Sequence, residues 1–101
     1  MDTTTLVNQA RSRLDHAAQR RILKEKYEAK LTFAYSGGMW RAGPELLAVL
    51  AVCKQEQQVI LDLYQNPVLV EPKELESIVQ QRWTEQMNAW LVEYNQIQNQ
   101  R

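Results

Sequence analysis

The sequence predicts an α+β domain, three helices alternating with two antiparallel β-hairpins in the order α-ββ-α-ββ-α. Three observations lead there. Apolar residues recur at helical spacing near both ends of the chain, the period switches to two at residues 31–36 and again at 59–64, and Gly, Pro and Asn punctuate each switch. A lone hairpin has little stability, so the two are expected to combine into one small antiparallel sheet packed on the helices.

Residues 5–30 form the first predicted helix. Val7, Ala10, Leu14, Ala17 or Ala18, Ile22 and Tyr27 recur near every 3.6 residues, and one of Thr3, Thr4 and Thr5 supplies the cap. Leu31, Phe33 and Tyr35 then alternate with Thr32, Ala34 and Ser36, as in a strand with one covered face. Gly37-Gly38 suits a two-residue hairpin turn, with Met39-Trp40-Arg41 returning and Tyr35 near Trp40. Gly43-Pro44-Glu45 starts the second helix, since proline fits the first turn and glutamate complements its positive end. Leu46, Leu47, Val49, Leu50, Val52 and Cys53 surround its axis, which predicts a central, buried position. In the second hairpin Val59, Leu61 and Leu63 alternate with Ile60, Asp62 and Tyr64, and Gln65-Asn66-Pro67 makes the turn before Val68-Leu69-Val70. Pro72 opens the last helix, predicted over residues 72–96, with 97–101 as a frayed polar tail. Leu75, Val79, Trp83, Met87, Trp90, Tyr94 and Ile97 draw one apolar stripe along it.

A chain of 101 residues with 45% hydrophobic and 24% charged side chains fits a single globular domain over 1–101 and argues against wholesale disorder. Its twelve basic and twelve acidic groups cancel, so no global field draws it to nucleic acid or to a membrane. The distribution is uneven: residues 1–41 carry eight Lys/Arg against four acids, net +4, and 42–101 carry four against eight, net −4. With Cys53 alone no intrachain disulfide forms. Met1-Asp2-Thr3-Thr4-Thr5 lacks the basic segment and apolar run of a secretion signal, and the run 46–53 is too short to span a bilayer. The expected compartment is the cytoplasm, with no membrane contact.

Catalytic chemistry finds little footing. His16 is the only histidine, and although Asp15 is adjacent, neighbouring helix positions point apart. Cys53 ends an apolar helix, whereas reactive thiols favour helix N-termini and basic surroundings, so it reads as core. One His and one Cys cannot assemble a structural zinc set, and no cofactor is expected. Gly37-Gly38 lacks the following helix start of a phosphate loop. Asp62 is the most suggestive carboxylate, with solvent or Arg41 as its expected partner. Trp40 and Arg41 beside the first turn form a candidate contact tip, against the plainer expectation that a strand tryptophan packs inward. Arg13, Arg20 and Lys24 can share a face of the first helix and are the candidate polyanion-binding residues, although Glu25 and Glu28 among them favour a solvated surface.

The stretch Leu31-Thr32-Phe33-Ala34-Tyr35-Ser36-Gly37-Gly38-Met39-Trp40 resembles small proteins of large tailed phages of marine cyanobacteria. Leu61-Asp62-Leu63-Tyr64-Gln65-Asn66-Pro67-Val68 and residues 85–94 extend the resemblance to about half the chain, through turn and strand patterns rather than chemical motifs. It implies a phage-encoded accessory or structural protein, in host cytoplasm or virion, and carries no functional residues over. The sequence therefore predicts a non-enzymatic protein-interaction or assembly module whose partner it does not name, with a small nucleic-acid-associated protein as the alternative. It further predicts a homo-oligomer, most simply a dimer, held through Met87, Trp90, Tyr94 and Ile97, because Trp, Tyr and Met are enriched where proteins meet.

Overall fold

A computed structural model describes the backbone from Thr3 to Asn99 and the side chains from Asp15 to Asn99. The elements follow the predicted order: α1 (Thr3–Leu31), β1 (Thr32–Tyr35), β2 (Gly38–Arg41), α2 (Pro44–Val52), β3 (Gln58–Leu61), β4 (Pro67–Val70) and α3 (Pro72–Asn99). Both hairpins are antiparallel, but they form two separate two-stranded ladders instead of one sheet. They are joined by side-chain packing and by a loop carboxylate described below. The helix α3 continues three residues beyond the predicted end, through residues expected to fray.

The turn of the first hairpin lies one residue earlier than predicted. Ser36 (φ 52°) and Gly37 (φ 84°) occupy its two central positions, and Tyr35 pairs with Gly38, so Gly38 belongs to β2. Both central residues with positive φ make the tight reversal that matches strand twist. Gly38 serves a different purpose. A β-carbon placed there would stand 3.0 Å from Val68 Cγ2, 3.2 Å from Trp40 Cζ2 and 3.3 Å from the Asp62 β-carbon. The missing side chain lets β2 press against the inner face of the second hairpin. The register pairs Phe33 with Trp40, and the Trp40 indole Nε1 donates to the Tyr35 carbonyl at 2.9 Å.

The core gathers Leu31, Phe33, Trp40, Ala42, Leu50, Ile60, Val70, Leu75 and Val79 from every element. Among the described side chains of α1 the buried positions are Leu23, Tyr27 and Leu31, four residues apart; Ile22, predicted in the stripe, is exposed. Val7, Ala10, Leu14 and the capping threonines lie outside the described side chains. The helix α2 is not central. Leu50 is its buried residue and Leu46, Leu47 and Cys53 pack beside the core, while Val49 and Val52 face outward. Nine residues make only two and a half turns, and α3 and the hairpins cover one side of them.

The two long helices run antiparallel against each other, since Lys30, Tyr27 and Lys26 of α1 meet Arg82, Trp90 and Glu93 of α3 in that order. The molecule is consequently long, 66 × 23 × 20 Å, with a radius of gyration of 19.2 Å, against about 13 Å for a compact chain of this length. The α1 C-terminus is closed by three donors. Thr32 Oγ1 reaches the Glu28 carbonyl (3.0 Å), Arg82 Nη1 the Lys30 carbonyl (3.1 Å) and the Ala42 N–H the Leu31 carbonyl (2.9 Å). No helix among the described residues is long and apolar enough to cross a membrane.

Candidate functional site

The two hairpins are locked together at Asp62, which is 5% exposed. Its backbone N–H donates to the Asn66 carbonyl, and its carbonyl accepts from the Gln65 N–H, closing the loop between β3 and β4. Its Oδ1 accepts from the N–H groups of Tyr64 and Asn66, both at 2.9 Å, and its Oδ2 accepts from the Met39 N–H of β2 at 3.1 Å. The Met39 carbonyl in turn accepts from the Leu63 N–H at 2.8 Å. The predicted alternatives for Asp62, solvent or Arg41, are both replaced by backbone donors. The Asn66 and Met39 N–H groups, against the opposing effect of burial, hold its carboxyl below the ordinary carboxylate range.

Burial of Asp62 fixes the facing of β3. Residues 60 and 62 point inward, and Ile60 joins the core, so Val59 and Leu61 point outward, opposite to the expectation from alternation. Val59 pairs with Leu69 and Leu61 with Pro67, placing all four on one sheet face. Val59, Leu61 and Leu69 remain 58%, 56% and 53% exposed, and Pro67 is exposed beside them. None carries a charge. Covering the open half of each Val or Leu side chain contributes roughly 1 kcal/mol.

Leu61 also lines a groove of about 670 Å³ whose walls come from α1, β2, α2, the β3–β4 loop and α3. All three tryptophans, Trp40, Trp83 and Trp90, border it, together with Val49 of α2. Glu28, Arg41, Glu45 and Gln65 supply its polar rim. The groove and the outer face of β3–β4 therefore share Leu61 and form one largely apolar surface. Ligand and partner sites combine these traits, concave apolar walls with few polar groups and large aromatic anchors.

The predicted interface stripe on α3 is largely occupied within the chain. Trp90 stacks on Tyr27 with ring centroids 5.7 Å apart and planes 7° from parallel. Glu93 Oε1 accepts from Lys26 Nζ at 2.7 Å and from the Tyr27 hydroxyl at 2.6 Å. These bonds hold the Glu93 carboxyl down, and the same Glu93 bond, with burial and charge adding, pushes the Tyr27 phenol up. Met87 packs beside the core, Ile97 is half-buried and Tyr94 is the exposed member of the set. The correction at the other predicted tip is clear: Trp40 is 1% exposed because it fills the space between β2 and the helices, and Arg41 alone reaches solvent. Of the candidate polyanion residues, Arg20 and Lys24 are exposed, Lys24 stands 3.9 Å from Glu28, and the Arg13 side chain lies outside the described residues.

A second concavity runs from Cys53 to Gln57 and faces Glu71, Lys73 and Glu74. A hydrogen bond with Glu74, its charge and burial push the Glu71 carboxyl up. Cys53 Sγ donates to the Val49 carbonyl at 3.2 Å, at the C-terminal end of α2. His16 is half-buried on α1. Among the described residues no group of three or more His, Cys, Asp or Glu is placed to hold a metal ion. Sequence reasoning missed the outward apolar face and the Tyr27–Glu93–Lys26 network. The first had one readable signal: Asp62 and Asn66 bracket a five-residue loop, the setting in which an aspartate turns inward to cap backbone N–H groups. Comparison with protein-family models, with curated proteins and with solved structures finds no match to this chain.

Proposed function

We propose that the chain is a non-enzymatic protein-interaction or assembly module, of the kind a phage-encoded accessory or structural protein supplies. The observation that carries this reading is the uncharged outer face of β3–β4, with Val59, Leu61 and Leu69 each more than half exposed and continuous with the three-tryptophan groove. Scattered apolar side chains on a surface need no explanation, but several on one sheet face mark a place where another molecule sits. The nucleic-acid alternative draws less support, since Lys24 and Lys26 already face Glu28 and Glu93.

A photo-crosslinking residue placed at Leu61, in cells that normally make the protein, tests the proposal. A discrete protein adduct is expected from Leu61 and none from Gln80, an exposed site on α3. Absence of any adduct from Leu61, Leu69 and Val59 overturns the reading. Salt-sensitive binding of nucleic acid that disappears on reversing Arg20 and Lys24 turns the assignment to the alternative.

A further inference from the structure

We propose that the open edge of β3 takes an extended peptide strand from a partner protein, added antiparallel beside Val59 and Leu61. This rests on the interaction reading above and names the form of the partner.

The backbone bonding pattern selects that occupant. The Asp62 N–H donates to the Asn66 carbonyl, which makes 62 and 66 a hydrogen-bonded pair at the loop end of the β3–β4 ladder. Such pairs alternate along an antiparallel ladder, so 60 bonds with 68 and 58 with 70. Val59 and Leu61 lie at the positions between, and their N–H and carbonyl groups point away from β4. Among the described residues no other backbone group bonds to them, and both side chains are more than half exposed. An apolar face accepts many occupants, but a row of unpaired N–H and carbonyl groups is matched by the backbone of an extended peptide.

The other edges offer less. In β2 the outward N–H of Met39 donates to Asp62 and its carbonyl accepts from Leu63, and Arg41 beyond it carries a charge. In β4 Pro67 has no N–H, and the Leu69 carbonyl accepts from the Ser36 hydroxyl at 2.9 Å. β1 leaves α1 directly at Thr32, so Ala34 is its outward residue clear of the helix. Proteins blunt exposed edges with charges or proline, and Gln58-Val59-Ile60-Leu61 contains neither. Residues of the added strand opposite Val59 and Leu61 share their outer face, which calls for apolar side chains at those alternate positions. Their N–H and carbonyl groups face β3. The edge leads into the three-tryptophan groove, one wall of which is Leu61, Asp62 and Leu63. The added strand also turns a two-stranded ladder, the weakest form of sheet, into a three-stranded one.

The test is titration of the full isotope-labelled chain with a short blocked peptide of alternating valine and threonine, read by amide hydrogen exchange. Exchange of the Val59 and Leu61 N–H groups is expected to slow about tenfold or more at saturation. The same peptide N-methylated at its valines, whose N–H groups would face β3, should lose binding. The peptide N-methylated at its threonines, whose N–H groups point away, should keep it. Leu61→Pro and Val59→Pro each remove one outward N–H without breaking a ladder bond, as Pro67 does in β4, and each should weaken binding roughly tenfold. The N-methyl comparison uses the wild type, so it decides even where a proline variant unfolds. A wild type with no slowing at Val59 and Leu61, or one that binds both N-methylated peptides equally, overturns the proposal. So does self-association of the wild type that Leu61→Pro abolishes, since the edge then belongs to a second copy. The crosslinker at Leu61 separates this proposal from the broader reading. A protein adduct there beside a failed peptide test leaves an interaction module that does not use the edge, and no adduct from Leu61, Leu69 or Val59 removes both.

Discussion

Replacing Gly38 with alanine is the sharpest probe of how the hairpins meet. The new methyl group would sit 3.0 Å from Val68 Cγ2, 3.2 Å from Trp40 Cζ2 and 3.3 Å from the Asp62 β-carbon. Val68 is β-branched and stiff, and Trp40 is enclosed by the core, so neither yields cheaply. Inserting a methyl group into such packing costs about 1–3 kcal/mol. The substitution also recovers about 0.4–1 kcal/mol by restricting the unfolded chain, because Gly38 does not need positive φ. The mid-range values leave an expected net loss of about 1.3 kcal/mol, measured by urea unfolding followed by circular dichroism. Gly37→Ala is the contrast. No atom lies within 4 Å of its added methyl group, yet φ of 84° imposes a left-handed penalty of about 1–2 kcal/mol. The two losses have different physics, and Val68→Ala distinguishes them. Removing the Val68 methyl groups relieves Gly38→Ala and leaves Gly37→Ala unrelieved, a coupling of at least about 0.5 kcal/mol in the first cycle alone. A Gly38→Ala protein as stable as the wild type, or equal coupling in both cycles, refutes the close-approach argument.

Acid stability should depend on Asp62 and Glu93. Both titrate below ordinary carboxylates in the folded chain, so over that interval the unfolded chain binds more protons and stability falls with falling pH. Their contribution is complete above about pH 5.5 and disappears as pH drops through the folded values, with Glu71, shifted the other way, partly offsetting it. Asp62→Asn should destabilise the protein at neutral pH and flatten this acid limb in pH-dependent melting; an unchanged limb contradicts the three-donor account. Tyr27, raised by Glu93, contributes below about pH 10 and is lost as pH rises through its folded value, so Tyr27→Phe should remove part of the alkaline decline. Trp90→Ala should cost about 1–3 kcal/mol of unfolding free energy, below the range for a fully enclosed ring, since Trp90 is half-buried on Tyr27. A mutant as stable as the wild type would show that the stacking contributes nothing.

The order of elements was legible in the sequence because local signals govern it. The switch from a 3.6 to a 2.0 period, Pro44 and Pro72 at helix starts and glycine near the first reversal all act within a few residues, and every predicted element exists. Alternation also shows that β3 has two faces, but it points to Val59 and Leu61 as the covered one, whereas that face is open. Val59 and Leu61 are as apolar as Ile60, so hydrophobicity could not rank the faces, and the deciding group was Asp62, whose carboxylate needs the Met39 N–H from 23 residues away. Gly38 is likewise far in the chain from the packing that requires it, since Val68 is brought near only when the hairpins stack. The stripe on α3 was read correctly as apolar, yet its cover, Tyr27 of α1, is set by the antiparallel pairing of two helices that the intervening chain folds back. Likewise α2 looked central because its sequence is apolar all round, and only assembly of the other elements left one side of it bare. Local periodicity thus determined which segments are helix and strand. Which faces are buried, and therefore where a partner can sit, depended on contacts between residues distant in the chain.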